Sequence, residues 1–196
     1  MIIKPTTREL ILASTLELLR SQDISELTVG SIMRNCGLGK RVFYNYFLDK
    51  YDAANNIYLQ WMTPYIHANL KEWNDRMAFY FSGERQYFQH TLSYKGQNAL
   101  SSTIIDLDRK KYLMHIKSSV IENDFLLKTV IYGIDYMLHG NLGILSNYMF
   151  LETSITKEEF LENFQFTWNL VQIWLPPIVQ ENIELYPVRE IDSLSS

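Results

Sequence analysis

The chain has one cysteine, five prolines and eight glycines among 196 residues, and each scarcity removes a class of protein. A single thiol, Cys36, cannot close an internal bridge, so a disulfide-stapled secreted fold is excluded. The start, Met1 to Arg8, lacks the apolar core of a signal peptide, which with the lone thiol sets the expectation of a reducing cytoplasm. A spanning helix needs roughly 20 apolar residues in a row, and no such run is present. The longest charge-free stretches, such as Tyr136 to Leu151, are broken by His139, Asn141 and Asn147. Long alternating runs of apolar and polar residues are missing too, so half-buried strands are not the main element. Internal repeats, low-complexity tracts and a flexible linker are also absent.

Chemical motifs are equally scarce. His67, His90, His115 and His139 fall into neither His-Glu-x-x-His nor Glu-x-x-His, so no metal and no cofactor is expected. Asp135 and His139 lie four apart and read as a hydrogen-bonded pair. Gly37-Leu38-Gly39-Lys40 resembles the end of a phosphate loop, but Arg34 stands where that loop needs its first glycine and Arg41 replaces its hydroxyl. No Gly-x-Ser-x-Gly occurs. The expectation is a protein that is not an enzyme; Cys36 reads as a small residue packed in a turn.

Hydrophobic residues make up 47% of the chain and charged residues 20%, enough for a real core, and the formal charge is -4. That sum hides a split. Residues 1–50 carry seven basic and five acidic side chains and the remainder eleven and seventeen, so a head of +2 precedes a body of -6. A positive head can approach phosphates although the whole is acidic.

Apolar residues recur at three- and four-residue steps, which predicts an all-α fold of about nine helices. The first covers Thr7 to about Gln22, with Ile11, Thr15, Leu18 and Leu19 on one face. Thr28 caps a short helix through Val29, Ile32 and Met33, which stops at Cys36-Gly37-Leu38-Gly39. A second short helix spans Lys40 to Phe47, and Asp49 caps another through Ala53, Ile57 and Trp61 toward Pro64. Breaks at Ser82-Gly83, Lys95-Gly96, Asn123-Asp124 and Thr153 to Thr156 divide the rest into about five more helices. Thr156 and Glu159 form a capping box for a helix from Lys157 to about Leu175, which Pro176-Pro177 end or kink.

Two short helices joined by a glycine-containing turn between Thr28 and Phe47 have the spacing of a helix-turn-helix, whose second helix enters the major groove of DNA. That helix carries Lys40, Arg41, Val42 and Asn45 with the phenols Tyr44 and Tyr46. Lysine and arginine suit guanine, asparagine suits adenine, and valine can pack on a thymine methyl.

The set Thr7-Arg8, Ile11-Leu12, Leu18-Leu19, Thr28-Val29, Ile32, Cys36-Gly37-Leu38-Gly39-Lys40-Arg41-Val42-Phe43-Tyr44-Asn45-Tyr46-Phe47 and Lys50 resembles the TetR family of transcriptional regulators. The resemblance implies that Thr28, Tyr44, Tyr46 and Lys50 contact phosphates while Lys40, Arg41, Val42 and Asn45 face bases. Three positions depart from the family pattern: Gly39 stands for a capping serine, Asp23 for a glycine and Val42 for a threonine. It also implies a DNA-binding domain over 1–50 and a sensing and dimerising domain over 51–196. In the body, His139-Gly140-Asn141-Leu142-Gly143-Ile144-Leu145 and the Thr156 capping box resemble the family's last two helices, which pair two chains. Gly140, Gly143, Ile144, Phe164, Trp168 and Val171 are the expected dimer residues. An apolar pocket for a small-molecule effector would draw on Trp61, Tyr65, Tyr87, Tyr112, His115, Tyr132, Tyr136 and Trp168. Arg109-Lys110-Lys111 reads as a solvated helix face. The expected partners are operator DNA, a second copy and an effector, with no membrane. The expected function is a repressor released by its effector. An activator answering a protein partner, and a helical binding module or enzyme without DNA function, are the alternatives.

Overall fold

The computed structural model describes residues 5–151, 156, 158, 159, 162, 163 and 177–184. Among them the chain is helical, with no strand: α1 Thr7–Leu19, α2 Val29–Asn35, α3 Lys40–Phe43, α4 Lys50–Met62, α5 Leu70–Gly83, α6 Arg85–Leu92, α7 Leu100–Leu113, α8 Ser118–Ile121, α9 Asp124–Leu151 and α10 Pro177–Gln180. A 3-10 turn, Thr63–Tyr65, carries Pro64 directly after α4. Phe164, Trp168, Val171 and most of the helix expected after Thr156 lie outside the described residues. The capping box that opens it is present: Glu159 N donates to Thr156 Oγ1 at 3.2 Å and Thr156 N to Glu159 Oε2 at 2.7 Å.

Two compact units emerge, Met1–Trp61 with Glu84–Thr103, and Met62–Gly83 with Ile104–Ser196. The first therefore takes in α6 as well as α1 to α3 and most of α4. This unit reaches past the expected boundary at residue 50 and takes in a segment of the expected second domain.

In the first unit, α1 starts on a capping box in which Thr6 and Glu9 satisfy each other's amides. It ends at Leu19, earlier than the expected Gln22, because Ser21 N and Gln22 N both turn back to Leu18 O. Ile11, Leu12 and Leu19 are buried, and the buried Ser14 hydroxyl donates to Ile32 O at 2.8 Å, fastening α1 to α2. On the other side of α1, His90 Nδ1 lies 2.6 Å from Leu19 O and Arg20 pairs with Glu84 at 2.5 Å. Trp61, Tyr87 and Phe88 form an edge-to-face aromatic cluster, and the buried Tyr87 hydroxyl donates to Ala54 O at 2.9 Å.

In the second unit, Tyr112, Ile116, Val120, Val130, Ile134, Met137, Leu138 and Val179 form the apolar core. α10 reaches that core over Gly133, where a Cβ would lie 2.3 Å from Val179 Cγ2. α7 stops at Leu113, where the sequence suggested no break before Asn123. Here His115 and Lys117 exchange backbone hydrogen bonds with Asn182 and Glu184 in a single bridge of extended chain.

Candidate nucleic-acid interface

Thr28 sits at the extended N-cap of α2, where its hydroxyl accepts from Ser31 N at 3.0 Å and its own amide donates to Ser31 Oγ at 3.1 Å. α2 ends where expected. Gly37 takes φ +69, a left-handed conformation that a residue with a Cβ resists, and so redirects the chain into α3. Cys36 lies half-buried in that turn, its Sγ 3.6 Å from Met33 O, as a packing residue would.

α3 is shorter than the expected Lys40 to Phe47. Regular helix stops at Phe43, and Asn45 N and Tyr46 N bond three residues back, to Val42 O and Phe43 O. The N-cap, Gly39, offers no side chain to the first amides, and the aromatic run that follows has modest helix propensity. What holds the segment is its anchoring: Phe43 is 0% and Phe47 3% exposed, with ring centroids 5.5 Å apart. The Arg8 guanidinium covers Phe47 at 5.5 Å and donates to Asn56 Oδ1 at 2.6 Å.

Burying positions 43 and 47 turns the intervening residues outward. Tyr44 is 62% exposed and Tyr46 44%; Lys40, Arg41 and Asn45 are exposed and Val42 is half-buried. The side chains of Lys40, Arg41 and Asn45 make no hydrogen bond or ion pair among the described residues. Leu48 is 83% exposed between Tyr46 and Lys50, a solvent-facing apolar residue the sequence reading did not single out. Nothing in the sequence marks it, since a leucine after Phe47 reads equally well as core.

Lys50 differs from the other expected DNA residues. Its Nζ donates to Ser25 O at 2.9 Å and Leu27 O at 2.8 Å, tying the start of α4 to the loop before α2. Two of its three N–H groups are thereby used, and burial draws its pKa below the ordinary lysine value. The turn of α4 itself is capped as expected, with Asp52 N donating to Asp49 Oδ1 at 2.7 Å.

The expected pocket residues fall in both compact units. Trp61 and Tyr87 belong to the first unit's aromatic cluster, while Tyr65 lies half-buried under the Arg76 guanidinium at 4.7 Å. Tyr112 is in the second unit's core. Tyr132 and Tyr136 are 72% and 77% exposed, because the face of α9 that buries Ile134 and Leu138 turns them outward. Trp168 is outside the described residues. A groove of about 430 Å³ is lined by Asp23, Ser25, Ser93, Tyr94, Lys95 and Gly96. A second, of about 350 Å³, is lined by α5 residues including Lys71 and Arg76. Neither holds an expected pocket residue.

The second unit conceals charge instead. Asp108 is buried and accepts from Trp73 Nε1 at 3.1 Å, and burial raises its carboxyl pKa to about 7. Lys111, read from sequence as solvated, is fully buried: its ammonium donates to Ile66 O at 2.9 Å and to Ala68 O, and lies 5.6 Å from the Trp73 ring centroid. Burial lowers its pKa to about 8. His115 is also buried; Nδ1 faces Glu184 O at 2.7 Å, Nε2 has no hydrogen-bond partner among the described residues, and burial lowers its pKa to about 4. Asp135 pairs through its carboxylate with Arg109, not with His139, which reaches only the Asp135 backbone oxygen. Among the described residues no group of histidines, cysteines and carboxylates could hold a metal ion, and no helix is long and apolar enough to cross a membrane.

An all-helical chain that opens on a helix-turn-helix and continues into a helical body has the fold of the TetR family of transcriptional regulators. It is similar to the dihydroxyacetone kinase operon activator DhaS, at a TM-score of 0.55 and 14% identity over 91% of this chain and 98% of that one. It is also similar to a TetR transcriptional regulator from Rhodococcus sp. RHA1, at a TM-score of 0.54 and 8% identity over 87% and 99% of the two chains. No protein-family model and no curated protein sequence matches, so the likeness is one of fold.

Proposed function

We propose that the protein is a DNA-binding transcriptional regulator whose residues 1–50 read an operator and whose residues 51–196 dimerise and sense a signal. One observation carries this reading: Phe43 and Phe47 are sunk in the core, and the residues between and before them, Lys40, Arg41, Tyr44, Asn45 and Tyr46, are exposed with no side-chain hydrogen bond or ion pair among the described residues. Donors on the second helix of a helix-turn-helix, with an amide and phenols in the turn directly after it, are what base edges and phosphates require. Lys40, Arg41, Val42 and Asn45 read bases; Thr28, Tyr44, Tyr46 and the remaining N–H of Lys50 hold phosphates.

A single such helix reads only a half-site, so two copies act together on half-sites about 34 Å apart. The seam is α9. Phe125, Tyr132, Tyr136, Gly140, Gly143, Ile144 and Phe150 follow one exposed stripe along it, and among the described residues nothing lies within 4 Å of a Cβ at either glycine. A second α9 can therefore approach closely there.

The regulator acts as a repressor that a small-molecule effector releases, by favouring a conformation whose two reading helices fit DNA poorly. DhaS is an operon activator by name, so an activator with the same head is the second reading. A mobility shift with the DNA upstream of the chain's own coding sequence tests the first step. A salt-sensitive, sequence-preferring complex is expected; binding that shows neither property refutes the regulator. Transcription from that DNA, rising or falling when the protein is added, then separates activator from repressor.

A further inference from the structure

The side chain of Lys40 does not extend along the exposed face of α3. It folds back across α2, where Gly30 leaves room for it: a Cβ at Gly30 would lie 2.8 Å from Lys40 Cε and 3.1 Å from its Nζ. The same point is 3.6 Å from Thr28 Oγ1. Ammonium and hydroxyl thus flank one spot on the surface, and neither belongs to the Arg41–Asn45 side of α3. Thr28 Oγ1 already accepts the Ser31 amide and offers its proton to Ser31 Oγ at 3.2 Å, a weak contact that a phosphate oxygen can replace. Lys40 makes no ion pair that would have to break first.

We infer that Lys40 and Thr28 together clamp one backbone phosphate of the operator, and that Gly30 is the positioning residue that lets them meet. This rests on the DNA-binding reading above but changes the division of labour within it. Lys40 leaves the base-reading set and contributes affinity without sequence information.

The test uses the full-length protein with two probes, a duplex enriched from a random pool by the wild type and a random-sequence duplex of equal length. Lys40→Ala should weaken binding to both by the same factor, roughly tenfold at low salt, and lower the salt slope by about one. The site it enriches from the pool should be unchanged. Gly30→Ala, in which alanine is the better helix former, should retain the wild-type melting temperature or exceed it and lose part of the affinity that Lys40→Ala loses, because the methyl shifts the flexible tip of Lys40 away from Thr28 without removing its charge. The double variant should lose no more than Lys40→Ala alone. An altered enriched site with Lys40→Ala, a loss on the enriched duplex alone, or additive losses in the double variant would each overturn the clamp while leaving DNA binding intact. Failure of the wild type to bind any duplex would overturn the DNA reading and the clamp together.

Discussion

The two compact units handle ionisable side chains in opposite ways. In the first, aromatic anchors fill the interior and the donors and phenols of α3 are left in solvent; in the second, an aspartate, a lysine and a histidine are enclosed. The first arrangement suits a surface that must meet a charged polymer already crowded with acceptors, since its donors carry no partners that binding would have to displace. The second suits an interior whose charge state and hydrogen bonding respond to what surrounds them, because Asp108 near 7 and Lys111 near 8 titrate close to neutrality. Exposure is thus the property on which the two units can be set against each other.

The largest expected effect falls on the anchor. Phe43→Ala removes a fully buried ring and should lower stability by about 4 kcal/mol, read as a lower melting temperature with loss of DNA binding. If instead melting were unchanged, the outward display of Tyr44 and Asn45 would have some other cause.

Asp108 tests the enclosed side. Its carboxyl pKa rises from 3.8 to about 7 on burial, so the neutral form is the one the fold prefers. The resulting stabilisation is complete below about pH 4, declines as pH rises toward 7 and is absent above it. Asp108→Asn should therefore gain about 3 kcal/mol at pH 8, somewhat under the three-unit shift because the amide brings a new donor to satisfy, and should flatten the pH profile of chemical denaturation. A variant with the wild-type profile would remove Asp108 from the account.

Lys50 stands between the two regimes, a basic residue of the reading unit that is half-enclosed. Lys50→Met forfeits two charge-assisted hydrogen bonds to the Ser25 and Leu27 carbonyls and should cost about 2 kcal/mol in unfolding free energy as well as weakening DNA binding. Lys40→Ala, by contrast, should leave melting unchanged. Equal effects of the two on stability would break the distinction between an exposed reader and a tethered one. The smallest effect is at the cap, where Thr28→Ala should lower stability by about 1 kcal/mol and reduce affinity for every duplex alike.

Short-range signals were the legible part. Thr28 as a cap, the Gly37 turn, Asp49 ahead of α4 and the breaks near Gly83 and Asp124 all rest on residues that act on their own backbone within a turn, and each is where the sequence puts it. The exposed α3 face was legible too, because Phe43 and Phe47 at one helical turn dictate which side is buried.

What failed involved tertiary partners. Lys111 looked solvated because Arg109 and Lys110 precede it; its burial depends on carbonyls of Ile66 and Ala68 and on the ring of Trp73, all more than thirty residues away. Tyr132 and Tyr136 looked like cavity wall because tyrosine serves in walls, cores and exposed seams alike, and only the packing of Ile134 and Leu138 decides among them. Gly133, ahead of the more conspicuous Gly140 and Gly143 on the same helix, carries no signal of its own in the sequence, although Val179 packs on it. The early end of α3 also needed the fold, since the buried pair holds the segment whether or not its hydrogen bonds are those of a regular helix.

The central claim, that the outward face of α3 reads DNA sequence, is tested most directly by enrichment of duplexes from a random pool with wild-type protein and with Asn45→Ala. The account predicts that the wild type enriches two related half-sites about one helical turn apart, and that Asn45→Ala enriches the same spacing with preference relaxed at one or two base pairs of each half-site. A pool that stays random with the wild type, or an enriched site identical in the two proteins, would contradict it.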